Sequence, residues 1–209
     1  MKPIVAAPAC GGLLALFLVG CTTFSAQPDP SRFFTLSALA QPQESVVERP
    51  AESPGISLGI GPVSLPGYLD RQEIVTRIAQ NQIHLSENDR WAEPLEESFT
   101  RVVSQNIANI LRAERFHAYP WPIDKKPVYQ TEIEVLRFET NTAQEAQLAA
   151  RWAVRNTGKK DSIRYRETRL SRPVENRSTA ASVAALSEVL SGLSREIAEA
   201  IETLDGKGK

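Results

Sequence analysis

Two stripes of apolar residues at helical spacing, set among shorter alternating segments, constrain this 209-residue chain most. The first holds Leu95, Phe99, Val102, Val103, Ile107, Ile110 and Leu111 on one side of a helix that starts near Pro94. Glu93, Glu96 and Glu97 lie at its start and Arg112 and Arg115 at its end, as the helix dipole favours. That role suits the acidic trio better than a metal or acid–base site. The second stripe, Val183, Leu186, Leu190, Leu193, Ile197, Ile201 and Leu204, predicts a helix over about 180–204. Segments 33–36, 56–60, 73–77, 82–86, 116–121, 128–138, 147–154 and 162–170 read as strands. In 147–154, Leu148, Ala150, Trp152 and Val154 share one face. Gly61-Pro62 and Pro66-Gly67 punctuate the early strands, and 40–55, with three prolines, reads as a long loop. Strands, helix, strands, helix predict a single α+β domain: a mixed or largely antiparallel sheet with two helices on one face.

The N-terminus limits how much of the chain belongs to that domain. Residues 3–20 carry no charge, Lys2 precedes them, and the densest apolar run, 13–19, ends at Gly20 and Cys21. A basic start, an apolar core and a small residue before the cut describe a secretory signal peptide. Leu18-Val19-Gly20-Cys21 resembles the lipobox of bacterial lipoproteins, cleaved between Gly20 and Cys21 once Cys21 carries a diacylglyceryl group. A membrane span is the rival reading, with ordinary secretion the third; Pro3, Pro8 and Gly11-Gly12 shorten the apolar run below a span. The lipoprotein reading gives a signal peptide over 1–20, a lipidated tether over 21–32, a domain over 33–205 and a tail over 206–209. Cys10 leaves with the signal, and Cys21 takes a diacylglyceryl and an N-acyl chain such as palmitate. The mature chain then has no thiol for a disulfide, a nucleophile or a metal. Thr22 and Thr23, rather than Asp, follow Cys21, which by resemblance to such lipoproteins implies the outer membrane of a Gram-negative cell.

Residues 61–77 (GPVSLPGYLDRQEIVTR) and 84–111 (HLSENDRWAEPLEESFTRVVSQNIANIL) carry a more specific likeness. With Tyr68, Leu69, Asp70 and Arg71, with Ile74-Val75, and with Trp91 and Pro94 at the start of the first helix, the chain resembles the PqiC-like (YmbA-like) periplasmic lipoproteins. The likeness runs over about 33–204. It implies an auxiliary subunit of an ABC-type transport system with an MCE-domain protein, moving lipid between membranes and supporting envelope integrity. It further implies a non-enzymatic adaptor that docks a periplasmic tunnel protein and forms a ring-shaped homo-oligomer. From the residues themselves, Tyr68 and Leu69 pack under the Pro66-Gly67 turn, Asp70 and Arg71 pair with neighbours or cap backbone groups, and Trp91 plugs the core beside the helix.

Catalytic signatures are sparse. No Ser or Cys sits in a nucleophile motif, Gly59-Ile60-Gly61 lacks the rest of a phosphate loop, and His84 and His117 have no metal-ligand neighbours. Glu132 and Glu134 share a wet strand face and make no acid–base pair. With 24 Lys+Arg against 25 Asp+Glu, a nucleic-acid binder is excluded. No cofactor, metal or catalytic residue is expected beyond the lipid on Cys21. One asymmetry remains: Arg151, Arg155, Lys159, Lys160, Arg164, Arg166, Arg169 and Arg172 face only Asp161 and Glu167 within 151–172. That segment is a solvated strand face, a patch for lipid head groups or an acidic partner, or a self-association surface. The alternative function, from another class, is a lipoprotein that itself binds a lipid or small ligand.

Overall fold

The structure, a computed structural model, describes residues 28–40, 56–113, 115–122, 126–159 and 162–206. The leader, Gly20, Cys21 and most of the 40–55 loop lie outside the described residues. Eight strands and two helices follow in chain order: β1 Arg32–Phe34, β2 Ser57–Ser64, β3 Glu73–Ala79, β4 Gln82–Trp91, α1 Leu95–Leu111, β5 Arg115–Ala118, β6 Tyr129–Asn141, β7 Glu145–Asn156, β8 Ile163–Pro173 and α2 Thr179–Asp205.

The long strand β6 organises the sheet. β7 lies antiparallel along one edge of it, and β8 lies antiparallel beyond β7. The other edge is shared. β2 runs parallel to its first half, from Leu58 against Tyr129 to Ser64 against Glu134, and β5 lies parallel outside β2. β3 runs parallel to its end, with Thr76 opposite Thr140, and carries antiparallel β4 and then parallel β1. The sheet is therefore mixed, and β5 and β8 lie at opposite edges of its lower half.

Both helices cover one face. α1 packs on β2 and α2, while α2 spans β6, β7 and β8. Leu148, Ala150, Trp152 and Val154 all point into this core, as their alternation predicts. Phe99 of α1 meets Phe138 of β6 edge to face at 5.3 Å, and neither ring is more than 2% exposed. Ser178 caps α2, its Oγ accepting from the Ala181 N–H at 3.1 Å, and Gly206 ends it at φ 85°. Among the described residues, no helix is long and apolar enough to cross a membrane.

Three local expectations are corrected. The strand read over 56–60 does not stop at Gly61-Pro62 but continues to Ser64, absorbing the interruption as a register shift between Ile60 and Val63. Arg115 is not a helix-end charge: Arg112, left-handed at φ 49°, closes α1, and Arg115 opens β5. Ile110 leaves the stripe and stands 36% exposed.

Candidate functional site

The Tyr68–Arg71 segment forms a tight turn between β2 and β3. Leu69 N–H donates to the Pro66 carbonyl at 2.9 Å and Asp70 N–H to the Gly67 carbonyl at 3.3 Å. The turn buries Leu69, leaves Asp70 exposed, and lets Arg71 Nε donate to the Tyr68 carbonyl at 2.9 Å. Arg71 thus satisfies backbone locally.

Tyr68 does more. Its hydroxyl donates to the carboxylate of Glu139, which also pairs with Arg77 and lies 3.6 Å from Arg137 Nε. The Arg77 guanidinium sits 5.7 Å from the Tyr68 ring centre. Glu139 is only 1% exposed. A buried carboxylate is tolerated only when hydrogen-bonded and paired, and here one phenol and two guanidiniums surround it. Burial, then the hydrogen bond and charge of Glu139, push the Tyr68 phenol up to about 12. The hydrogen bond to Glu139 likewise raises Arg77, against the opposing effect of burial.

Glu139 reaches this position through a bulge. Thr131, Ile133 and Val135 point inward, and a register shift between Val135 and Arg137 then reverses the alternation. Phe138 consequently meets α1, and Glu139 faces the helix-free side beneath the Tyr68 turn. Its sequence context differs little from that of the exposed Glu132 and Glu134. No signal in β6 marks it; only its partners in the Tyr68–Arg77 segment do.

A second cluster fixes the start of the domain. Arg32 grips Asp89 with two bonds, Nε to Oδ1 at 2.6 Å and Nη2 to Oδ2 at 2.9 Å. The Thr179 hydroxyl donates to the same carboxylate, and Ser86 Oγ accepts from the Asp89 N–H at 3.1 Å. Burial disfavours the Asp89 charge, but the bonds from Arg32 and Thr179 outweigh it and hold the carboxyl below its usual range. Asp89 therefore joins β1, β4 and α2.

Trp91 is 5% exposed and its backbone N–H donates to the Gln72 carbonyl at 2.7 Å; it belongs to the core. Pro94 precedes α1 without a side-chain cap, and its carbonyl accepts from Ser98 N–H at 3.1 Å. Glu93 pairs with Arg101 and accepts from the Thr35 hydroxyl at 3.1 Å, and the Arg101 bond lowers its pKa.

The basic segment is divided between the two faces of the β7–β8 hairpin. Arg151, Arg155 and Arg169 share the helix-free face, whereas Arg164 and Arg166 point to the α2 side with Val154 and Trp152. Arg151 lies 3.2 Å from Glu167 and 3.6 Å from Glu134, and Arg169 lies 2.6 Å from Glu167. Glu167 is lowered by Arg169 first and Arg151 second. Arg166 sits over the Trp152 ring, 3.6 Å from Glu196, which accepts the Thr168 hydroxyl at 2.5 Å. Arg155 and Arg164 have no carboxylate partner among the described residues.

Solved structures share this architecture. One, of an uncharacterized protein, superposes with a TM-score of 0.66 at 16% identity, covering 82% of this chain and 98% of its own. Protein XCC0632 from Xanthomonas campestris superposes with a TM-score of 0.62 at 18% identity, covering 83% of this chain and 95% of its own. No curated protein matches the sequence. The family model for the ABC-type transport auxiliary lipoprotein component matches residues 34–198, from the end of β1 deep into α2. It takes in the Tyr68–Glu139 pair, Asp89 with Thr179, and the whole β6–β8 meander, and the chain belongs to that family of ABC-type transport auxiliary lipoproteins.

Proposed function

We propose that this protein is a non-enzymatic adaptor, held by lipid on Cys21 to the periplasmic face of the outer membrane. There it assembles with itself and docks the MCE-domain tunnel protein of an ABC-type lipid transport system. The observation that carries the reading is the family match over 34–198, joined to a lipobox at Leu18–Cys21 that stands just ahead of the first strand. From Cys21 to Arg32 the chain reaches at most roughly 40 Å. The Arg32–Asp89 clamp takes up the tether where it meets the domain. Two or three acyl chains, at about 0.8 kcal/mol per buried methylene, anchor far more firmly than one.

The chemistry of the surface fits an adaptor. Its strongest polar clusters, around Glu139 and Asp89, tie elements together rather than present reactive groups to a cleft. One groove lined by described residues, of about 700 Å³, runs open to solvent between α1 and Phe116 and Tyr119. Such a groove offers less enclosure than a lipid-carrying pocket needs.

Fractionation of cells expressing the wild type or Cys21→Ala tests the reading. The wild type is expected in the outer membrane and Cys21→Ala in the soluble fraction. Cys21→Ala that stays in the membrane fraction, or wild type in the inner membrane, contradicts the proposed anchor.

A further inference from the structure

The groove beside α1 combines apolar walls with unpaired acids. Thr100, Ser104 and Ala108 line its α1 side, and Phe116 and Tyr119, 40% and 52% exposed, line the other. The outer edge of β5 pairs with nothing among the described residues. Glu93, Glu96 and Glu97 also line the groove. Arg101 takes up Glu93, but Glu96 and Glu97 are exposed and have no cationic partner among the described residues. Arg112 and Arg115 stand at the other end of α1, roughly 24 Å along its axis. Such a groove repels an anionic bilayer and favours an aromatic side chain flanked by cations.

The chain itself carries such a side chain. Tyr165, 74% exposed on β8, stands between Arg164 and Arg166, and the outer edge of β8 is also open among the described residues. Arg164 has no carboxylate partner among those residues, and Arg166 shares Glu196, at 3.6 Å, with Thr168. Phe33, the other exposed aromatic described, fits less well, because its neighbour Arg32 is held by Asp89 with two bonds. Arg172 is likewise without a carboxylate, but its neighbours Ser171 and Pro173 supply no aromatic ring. An exposed Tyr between arginines has the composition of an interface hot spot. β2, β6 and β7 separate β5 from β8, so knob and groove lie about 20 Å apart across the sheet. Tyr165 therefore does not reach the groove of its own chain.

We infer that Tyr165, with Arg164 and Arg166 beside it, docks in the α1–β5 groove of a second copy, where the arginines meet Glu96 and Glu97. The contact is head to tail, since each copy offers a groove at one sheet edge and a knob at the other. The inference rests on the self-assembly in the adaptor reading above and assigns the two surfaces that meet.

The test compares two variants of the lipidated mature protein with the wild type by sedimentation in dodecyl maltoside, the detergent mass being subtracted. The groove variant is Glu96→Lys with Glu97→Lys, and the knob variant is Arg164→Glu with Tyr165→Ala. Each alone is expected to associate at least tenfold more weakly than the wild type. An equimolar mixture should recover association, because the knob variant keeps an intact groove and the groove variant an intact knob. Glu87→Lys with Glu175→Lys makes the same charge change on β4 and ahead of α2, and should leave the mass unchanged. Matching urea midpoints show that each variant is folded, and Tyr165→Ala alone repeats the knob test through one exposed side chain. Wild-type association by either variant overturns the proposal, as does a mixture no more associated than its components. A wild type that is itself monomeric overturns this contact and the self-assembly of the adaptor reading together.

Discussion

Tyr68 and Glu139, 71 residues apart, meet beneath the turn between β2 and β3, where the phenol donates to a carboxylate that solvent does not reach. Arg77 completes the arrangement from β3. The family-like Tyr68-Leu69-Asp70-Arg71 segment thus acts chiefly as a lock on the sheet, with Leu69 in the core and Arg71 bound to local backbone.

Removing one member of that lock should cost unequal amounts. Tyr68→Phe deletes one hydrogen bond to a charged group, worth about 1.5–3 kcal/mol. Glu139→Ala leaves Arg77 facing a void and should cost about 3–5 kcal/mol, the penalty for breaking a buried pair. Urea unfolding of both, and of the double variant, checks the order. A Glu139→Ala protein as stable as the wild type would remove the lock from the account.

Asp89 gives the domain an acid limb. Its folded pKa lies below the value of an unfolded aspartate, about 3.9, so the folded state binds fewer protons. The stability it contributes is complete above that unfolded value and is lost as pH falls through the lower folded one. Glu93, lowered by Arg101, acts with the same sign. Asp89→Asn should flatten the fall in urea midpoint between about pH 5 and pH 2 while lowering the midpoint at pH 7. An unchanged slope would show that Asp89 is not the titrating group.

Gly59 and Gly61 have a structural use that a search for phosphate loops misses. Gly61 sits at φ 127°, and a Cβ there would lie 2.5 Å from the Tyr119 Cβ; at Gly59 it would lie 2.4 Å from Pro127 Cγ. The two glycines let the segment after β5 lie against β2. Gly61→Ala is expected to cost more than about 1 kcal/mol, because strain and clash add. Calorimetry that finds Gly61→Ala as stable as the wild type would refute this use.

Much of the fold is legible in the residues because local periodicity and burial agree. The α1 stripe apart from Ile110, the Leu148–Val154 face and the second helix all lie where alternation and the 3.6-residue repeat put them. What periodicity hides is parity reversal and pairing. The shift between Val135 and Arg137 turns Glu139 into a buried anion, and the one between Ile60 and Val63 carries β2 past a Gly-Pro pair. The basic run from 151 to 172 looks like one patch, because sequence does not show that alternation sends Arg155 and Arg164 to opposite faces of the hairpin. Nor does it show which cations find carboxylates, since Glu134 and Glu196 lie outside the run.

An anchored adaptor in an MCE-type transport system, the function proposed above, must assemble with itself and hold its MCE partner. The solution mass of the purified mature protein, alone and mixed with the MCE protein of the same system, tests it most directly. The expected result is a homo-oligomer that takes up the MCE protein as a stoichiometric complex. A monomer that ignores the MCE protein and instead copurifies with phospholipid would contradict it.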